Sequence, residues 1–244
     1  SYIGANTLPP EDASAFEFLN EIIQYEPSEL FSKELLGKLA TLGIEKGKPF
    51  NPDARMKGIL EDAIKIGEGI ARTVTYYPRE KGQFAWEDIS SGWVVPFAEH
   101  DASWKTDDGA RKIEMQMYYH YNCSVVTPVM AKAPGPGKGS EYVFKSFDSD
   151  EGILYGAKNY EMTLPADVPV ADFWAITLYD TQTRSQLQTD QQFPTIDTYS
   201  KGLKKNSDGS LTLYFGPEVP EGKESNWLQT IPGKSFFVCL RMYG

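Results

Sequence analysis

The sequence predicts an α+β protein, with an N-terminal helical segment over residues 1–75 followed by an antiparallel, jelly-roll-like β-sandwich over residues 76–244. Three observations carry this reading. Apolar residues recur at the three-and-four spacing of amphipathic helices up to about residue 75. From Tyr76 onward the apolar period switches to two, in runs bounded by Pro, Gly, Asn and Asp clusters. No helical pattern of useful length separates those runs, which argues against a βαβ sheet.

In the first segment, Phe16, Leu19, Ile22 and Ile23 mark a helix that Pro27 stops. Ser28 is placed to cap a second helix, whose Phe31, Leu35, Leu39 and Leu42 share a face and whose end falls at Gly43. Asn51, Pro52 and Asp53 supply an N-cap, a first-turn proline and an acid for the third and longest helix, which carries Met56, Ile59, Leu60, Ile64 and Ile70. Residues 43–50 between them read as a connecting loop with solvated charges.

In the second segment, residues 112–119 alternate cleanly: Ile113, Met115, Met117 and Tyr119 on one face, Lys112, Glu114, Gln116 and Tyr118 on the other. Further strands are predicted over residues 93–97, 142–147, 160–164, 173–180, 211–215 and 236–243. A hairpin is expected at Asn206-Ser207-Asp208-Gly209, because Asp-Gly supplies positive φ at little cost. Residues 133–140, APGPGKGS, read as a loop or lid, and lack the upstream glycine of a phosphate loop. The segments 112–119 and 236–243 bear most weight: a helix through either would mean abandoning both the sandwich and the site at its end.

With a net charge of −10 and its 24 Lys and Arg scattered, the chain is poorly suited to nucleic acid or an anionic membrane. No apolar run of roughly 18 residues exists, so no membrane span is predicted, and residues 1–10 lack a secretion signal's pattern. Two cysteines, Cys123 and Cys239, are too few for a disulfide scaffold and leave the compartment open.

The catalytic vocabulary is small. His100 stands between Glu99 and Asp101, but a polar loop explains it as well, and His120 reads as a surface residue on the strand over 112–119. A zinc site would need Cys123, Cys239, His100 and His120 from separate segments without a short ligand pair, so no metal or other cofactor is predicted. Asn122-Cys123-Ser124 matches a glycosylation acceptor only formally.

The densest polar cluster holds Tyr179, Asp180, Thr183, Arg184 and Asp190, directly after an apolar strand. Asp180 and Thr183 can close a turn that Arg184 pins by pairing with Asp180 or Asp190. Alternatively, the Arg184 fork meets an anionic ligand, with Tyr179 or Asp190 as acid-base partner. A second cluster, Asn226, Trp227, Gln229 and Thr230, precedes the last strand, and Trp227 serves either as a core plug or as a stacking platform. In that strand Cys239, Arg241 and Tyr243 share one face, where a buried Arg241 would need Asp180 or Asp190 as partner.

Residues 172–191 (DFWAITLYDTQTRSQLQTDQ), the DGS turn with LYFGP (208–217), and NWLQTIPGK followed by LRMYG resemble the family known as domain of unknown function twelve-fourteen. The stretch GIEKGKPFNPDARMKGIL is similar to the helical segment that joins this domain to its usual N-terminal companion, domain of unknown function twelve-fifty-four. The resemblance implies a bacterial protein, a β-sandwich without established activity, a periplasmic or secreted location, and a companion domain absent from this chain, which would then be a C-terminal fragment. Two functions follow as expectations. One is a non-catalytic module that binds a small molecule or glycan, or mediates assembly, self-association included, with a site at the 180–190 and 226–230 loops. The other is a hydrolase or other acid-base catalyst using Asp180, Arg184, Asp190 or His100.

Overall fold

The computed structural model describes residues 10–123 and 139–244, and the chain divides into two units, Ser1–Thr75 and Tyr76–Gly244. Helices α1 (Ser14–Tyr25), α2 (Lys33–Thr41) and α3 (Ala54–Tyr76) make up the first, apart from Tyr76. Ile23, Leu39 and Ile44 form its core, with Phe16, Leu19, Phe31, Leu35, Leu36 and Phe50 packed around them.

Two of its caps differ from expectation. Ser28 starts only a three-residue 3-10 turn, and Ser32 caps α2 by accepting from the Leu35 N–H at 3.2 Å. Asp53, not Asn51, accepts from the Met56 N–H at 2.7 Å, because the helix begins at Ala54. The end of α2 is as expected: Ile44 N–H reaches Leu39 O and Gly43 N–H reaches Ala40 O, with Gly43 at φ +84°. That is a Schellman stop, and Ile44 joins Leu39 in the core. Lys46 is not merely solvated, since its ammonium donates to the carbonyls of Ile23, Gln24 and Glu26 at the end of α1.

The second unit holds two sheets. One has the order β1 (Ser140–Lys145), β7 (Phe236–Tyr243), β3 (Phe173–Asp180), β4 (Thr195–Asp197), all antiparallel. The other has the order β2 (Tyr160–Leu164), β5 (Leu211–Gly216), β6 (Trp227–Gln229), with β5 and β6 parallel. The period of two decides which residues face inward. Val143, Ile176, Leu178, Ile196, Val238, Leu240 and Met242 from the first sheet meet Leu164, Leu211, Leu213, Phe215 and Leu228 from the second in one core. Burying a Leu or Ile fully contributes about 1.5–3 kcal/mol, and Ile176, Leu178 and Leu213 have no exposed surface.

Residues 112–119 are a correction. They belong to helix α4 (Ile113–Asn122), not to a strand. Met115, Tyr118, Tyr119 and Asn122 also stand at helical spacing, and the first three are buried while Ile113 is 55% exposed. The Tyr118 hydroxyl donates to Val95 O at 2.5 Å, and Tyr119 stacks on Phe97 at 4.7 Å. His120 therefore lies on a helix against Trp104, not on a strand's polar face. The sandwich stands without this segment because neither sheet draws a strand from it, whereas Phe236–Tyr243, the other weight-bearing segment, is the strand between β1 and β3.

Two further expectations fail locally. Residues 93–97 form no continuous strand; only Val94 bridges, to Phe84 and Phe144. The turn at Asn206 forms, with Gly209 at φ +84° donating to Asn206 O, but it opens no hairpin. Lys204 before it is held by Asn226, while β5 pairs with β2 and β6. Ser124 and residues 133–138 of the glycine-proline loop lie outside the described residues, as does the His100 side chain.

Candidate functional site

The Asp180 turn is built from its own carboxylate. Oδ1 accepts from the N–H groups of Gln182 at 2.7 Å and Thr183 at 3.3 Å, and Oδ2 accepts from the Lys234 ammonium at 2.5 Å. Burial pulls the Asp180 carboxyl upward, but the hydrogen bonds from Lys234, Gln182 and Thr183 outweigh it and hold the group below the usual range. The ion pair at Asp180 is thus with Lys234 and not with Arg184. The Arg184 guanidinium stands 4.4 Å over the Tyr121 ring of α4 and donates to Gln182 O, with its backbone at φ +59°. Thr183 shares a hydrogen bond with Ser185, and Tyr179 stacks on Phe237 at 5.2 Å.

The second cluster is fastened by carboxamides. Asn226 is buried and uses its whole capacity: Oδ1 accepts from Lys204 N–H and Ser225 Oγ, and Nδ2 donates to Lys204 O and Thr212 O. Gln191 accepts from the Gln229 N–H at 2.8 Å and donates to Trp227 O at 3.2 Å. Gln229 answers by accepting from the Asp190 N–H and donating to Asp190 Oδ2. The Trp227 indole donates to Gly216 O, and the Thr230 hydroxyl to Gly156 O. These side chains occupy backbone groups that would otherwise be left unpaired.

Arg241 differs from the rest. Neither Asp180 nor Asp190 pairs with it; its guanidinium lies 5.3 Å from the Tyr142 ring and 5.5 Å from the Tyr243 ring. Antiparallel register explains the contact, because Tyr142 stands opposite Arg241 on the outer face of the four-stranded sheet. Burial opposes the charge on Arg241, but the neighbouring phenol oxygens, Tyr142 first, outweigh it and raise the guanidinium's pKa. For Tyr142 burial works upward, and hydrogen bonds from Ser140, Tyr243 and Arg241 together bring the phenol below its ordinary value. Tyr243 goes the other way, pushed up to about 12 by burial and by Tyr142.

Tyr243 also belongs to a row of rings across the sheet. Tyr142 meets it edge-on at 6.2 Å, Phe173 stacks on it at 4.3 Å, and Tyr199 follows Phe173 at 5.7 Å. The turn carrying Tyr199 is fixed from both sides: Thr198 exchanges hydrogen bonds with the Trp174 backbone, and Asp197 accepts from the Tyr199 N–H and Ser200 hydroxyl. Tyr199 is 70% exposed, while Tyr142, Tyr243 and Phe173 are half-buried. Toward the other end of the same face, Phe237 and Cys239 are buried, with Phe237 against Tyr76 and Phe144. Sequence reasoning placed Arg241 and Tyr243 on one face but missed Tyr142, Phe173 and Tyr199, which only strand register brings beside them.

A separate cleft of about 290 Å3 is lined by Glu80, Gly82, Ala98, Glu99, Lys112, Ile113, Glu114 and Met115. Two of its three carboxylates form ion pairs: Glu99 with Lys112 at 2.6 Å and Glu114 with Arg79 at 2.5 Å. No residue of the two polar clusters lines it, nor does Arg241. Burial pushes the thiols of Cys123 and Cys239 up to about 11 and about 12, which disfavours the nucleophilic thiolate. Among the described residues no three His, Cys, Asp or Glu side chains are grouped to hold a metal ion, and no helix is long and apolar enough to cross a membrane.

Residues 139–244 match the family described as Protein of unknown function (DUF1214). No curated protein matches the chain. Among solved structures it is similar to the VPA0106 protein from Vibrio parahaemolyticus, with 19% identity and a TM-score of 0.43 over 100% of this chain and 54% of that one. It is also similar to an uncharacterised protein from Burkholderia cenocepacia, with 18% identity and a TM-score of 0.36 over 55% of this chain and 37% of that one. The chain therefore spans about half the length of the Vibrio protein. No function is established by any of these likenesses.

Proposed function

We propose that the sandwich is a non-catalytic module that binds a glycan or similar small ring-bearing molecule on the outer face of its four-stranded sheet. The supporting observation is the row Tyr142, Tyr243, Phe173 and Tyr199, which runs from a half-buried edge to a ring 70% exposed on a fixed turn. Sugar rings present flat C–H faces, and aromatic rings held at such spacing stack on them with little ordering cost.

In this reading Arg241 is the ligand contact among the site residues read from the sequence. Tyr179, Asp180, Thr183, Arg184, Asp190, Asn226, Trp227 and Gln229 build and fasten the loops. The acid-base alternative at the 180–190 and 226–230 loops needs a carboxylate free to exchange a proton with substrate. Both Asp180 oxygens are already bonded, and Asp190 is tied to Gln229, so the geometry favours the module.

The experiment is NMR titration of the labelled chain with a panel of neutral and acidic oligosaccharides. Shifts should gather at Tyr199, Phe173 and Tyr243, and Tyr199→Ala should weaken affinity about tenfold without changing the melting temperature. Saturating oligosaccharide that leaves these signals unmoved would sink the proposal. We further read the chain as working beside an N-terminal companion domain outside the cytoplasm; the support is the resemblance of residues 43–60 to the joining segment of such pairs. Native mass spectrometry and fractionation of the full-length protein test that reading.

A further inference from the structure

We infer that the ligand of this module carries a carboxylate, and that Arg241 selects it. The inference rests on the binding face proposed above and goes further by naming the charge the ligand must bring. Arg241 projects from β7 into the row of rings, beside the adjacent rings of Tyr142 and Tyr243, with Ser140 Oγ 3.0 Å from the Tyr142 hydroxyl. Among the described residues no carboxylate forms an ion pair with it. The small Ala175 stands across from it on β3.

A half-buried guanidinium held among phenols keeps its charge but has traded part of its water for ring faces. Its planar fork of donors matches a carboxylate in two parallel bonds. The Tyr142 hydroxyl and Ser140 add neutral polar groups beside that fork. The chain as a whole carries −10, so a polyanion would be repelled from it, whereas one carboxylate needs only the local positive charge. The ligand class is accordingly a saccharide with a single acidic sugar ring: the carboxylate of that ring meets Arg241, and a neighbouring sugar ring stacks on the exposed Tyr199.

Isothermal titration with a disaccharide bearing one glucuronate, and with its carboxyl-reduced neutral counterpart, separates the two levels of the argument. The acid should bind the whole chain about tenfold more tightly than the neutral sugar, and the ratio should shrink as salt rises. Arg241→Gln should abolish the preference, while Arg241→Lys should keep part of it. Equal affinity of the wild-type chain for the two sugars would overturn the carboxylate inference and leave the binding face standing. Failure of both sugars to bind would overturn both. The wild-type comparison decides the matter even if Arg241→Gln does not fold.

Discussion

The side-chain amide of Gln191 is bonded to the Gln229 backbone as a neighbouring strand would be, accepting its N–H at 2.8 Å. With its second bond, to Trp227 O, it covers the edge of β6 that faces away from β5. Edge strands left open invite pairing with other chains, and here a single side chain meets two of the edge's backbone groups. Gln191→Leu should leave Gln229 N–H and Trp227 O to water. The expected result is a loss of about 1 kcal/mol and faster hydrogen exchange at the Gln229 amide, with the rest of β6 unchanged.

Asn226 makes a stronger demand. It is buried and bonds Lys204 on both its N–H and its carbonyl, as a peptide group would. Asn226→Asp keeps the shape but removes the two donors that serve Lys204 O and Thr212 O. A loss of roughly 2–3 kcal/mol is expected, measured as the urea midpoint, and Asn226→Asp should cost at least as much as Asn226→Ala. A smaller loss for the charged variant would contradict the bonding described.

Acid should loosen the Asp180 turn. Its folded pKa lies below the unfolded value of about 3.9, so its contribution is complete above that pH and is lost as pH falls through the folded value. The Lys234 side chain is 47% exposed, so the pair is partly screened and its effect modest. Unfolding midpoints of the wild type should fall below about pH 4 more steeply than those of Asp180→Asn. Parallel profiles would refute the assignment.

The phenols beside Arg241 offer a spectroscopic check. Ultraviolet titration should show one tyrosine ionising below the ordinary range, removed by Tyr142→Phe, while Tyr243 stays protonated until about pH 12. Arg241→Gln should move the Tyr142 step upward, since the lost cation favoured the phenolate.

Much of the sandwich was legible because inward and outward residues alternate along 160–164 and 211–216, where one face is buried, while 173–180 and 236–243 are apolar runs buried on both faces over much of their length. Residues 112–119 misled because tyrosines and methionines at every second position also satisfy helical spacing, and aromatic residues weight a short run toward a strand. The polar motifs were legible as clusters but not as ligand contacts or fasteners: whether Asp180 meets Lys234 or Arg184 depends on where a turn 54 residues away is placed. The row Tyr142, Tyr243, Phe173 and Tyr199 comes from three strands and a turn, and only register aligns it.

The two kinds of fastening age and respond differently. A carboxamide such as Asn226 or Gln191 has no proton to gain between mild acid and mild base, so those seams hold at one strength across that span. Spontaneous hydrolysis of either amide to an acid, a change of one mass unit that leaves the chain uncleaved, would undo its seam permanently, whereas the Asp180 turn lost to acid would close again on neutralisation.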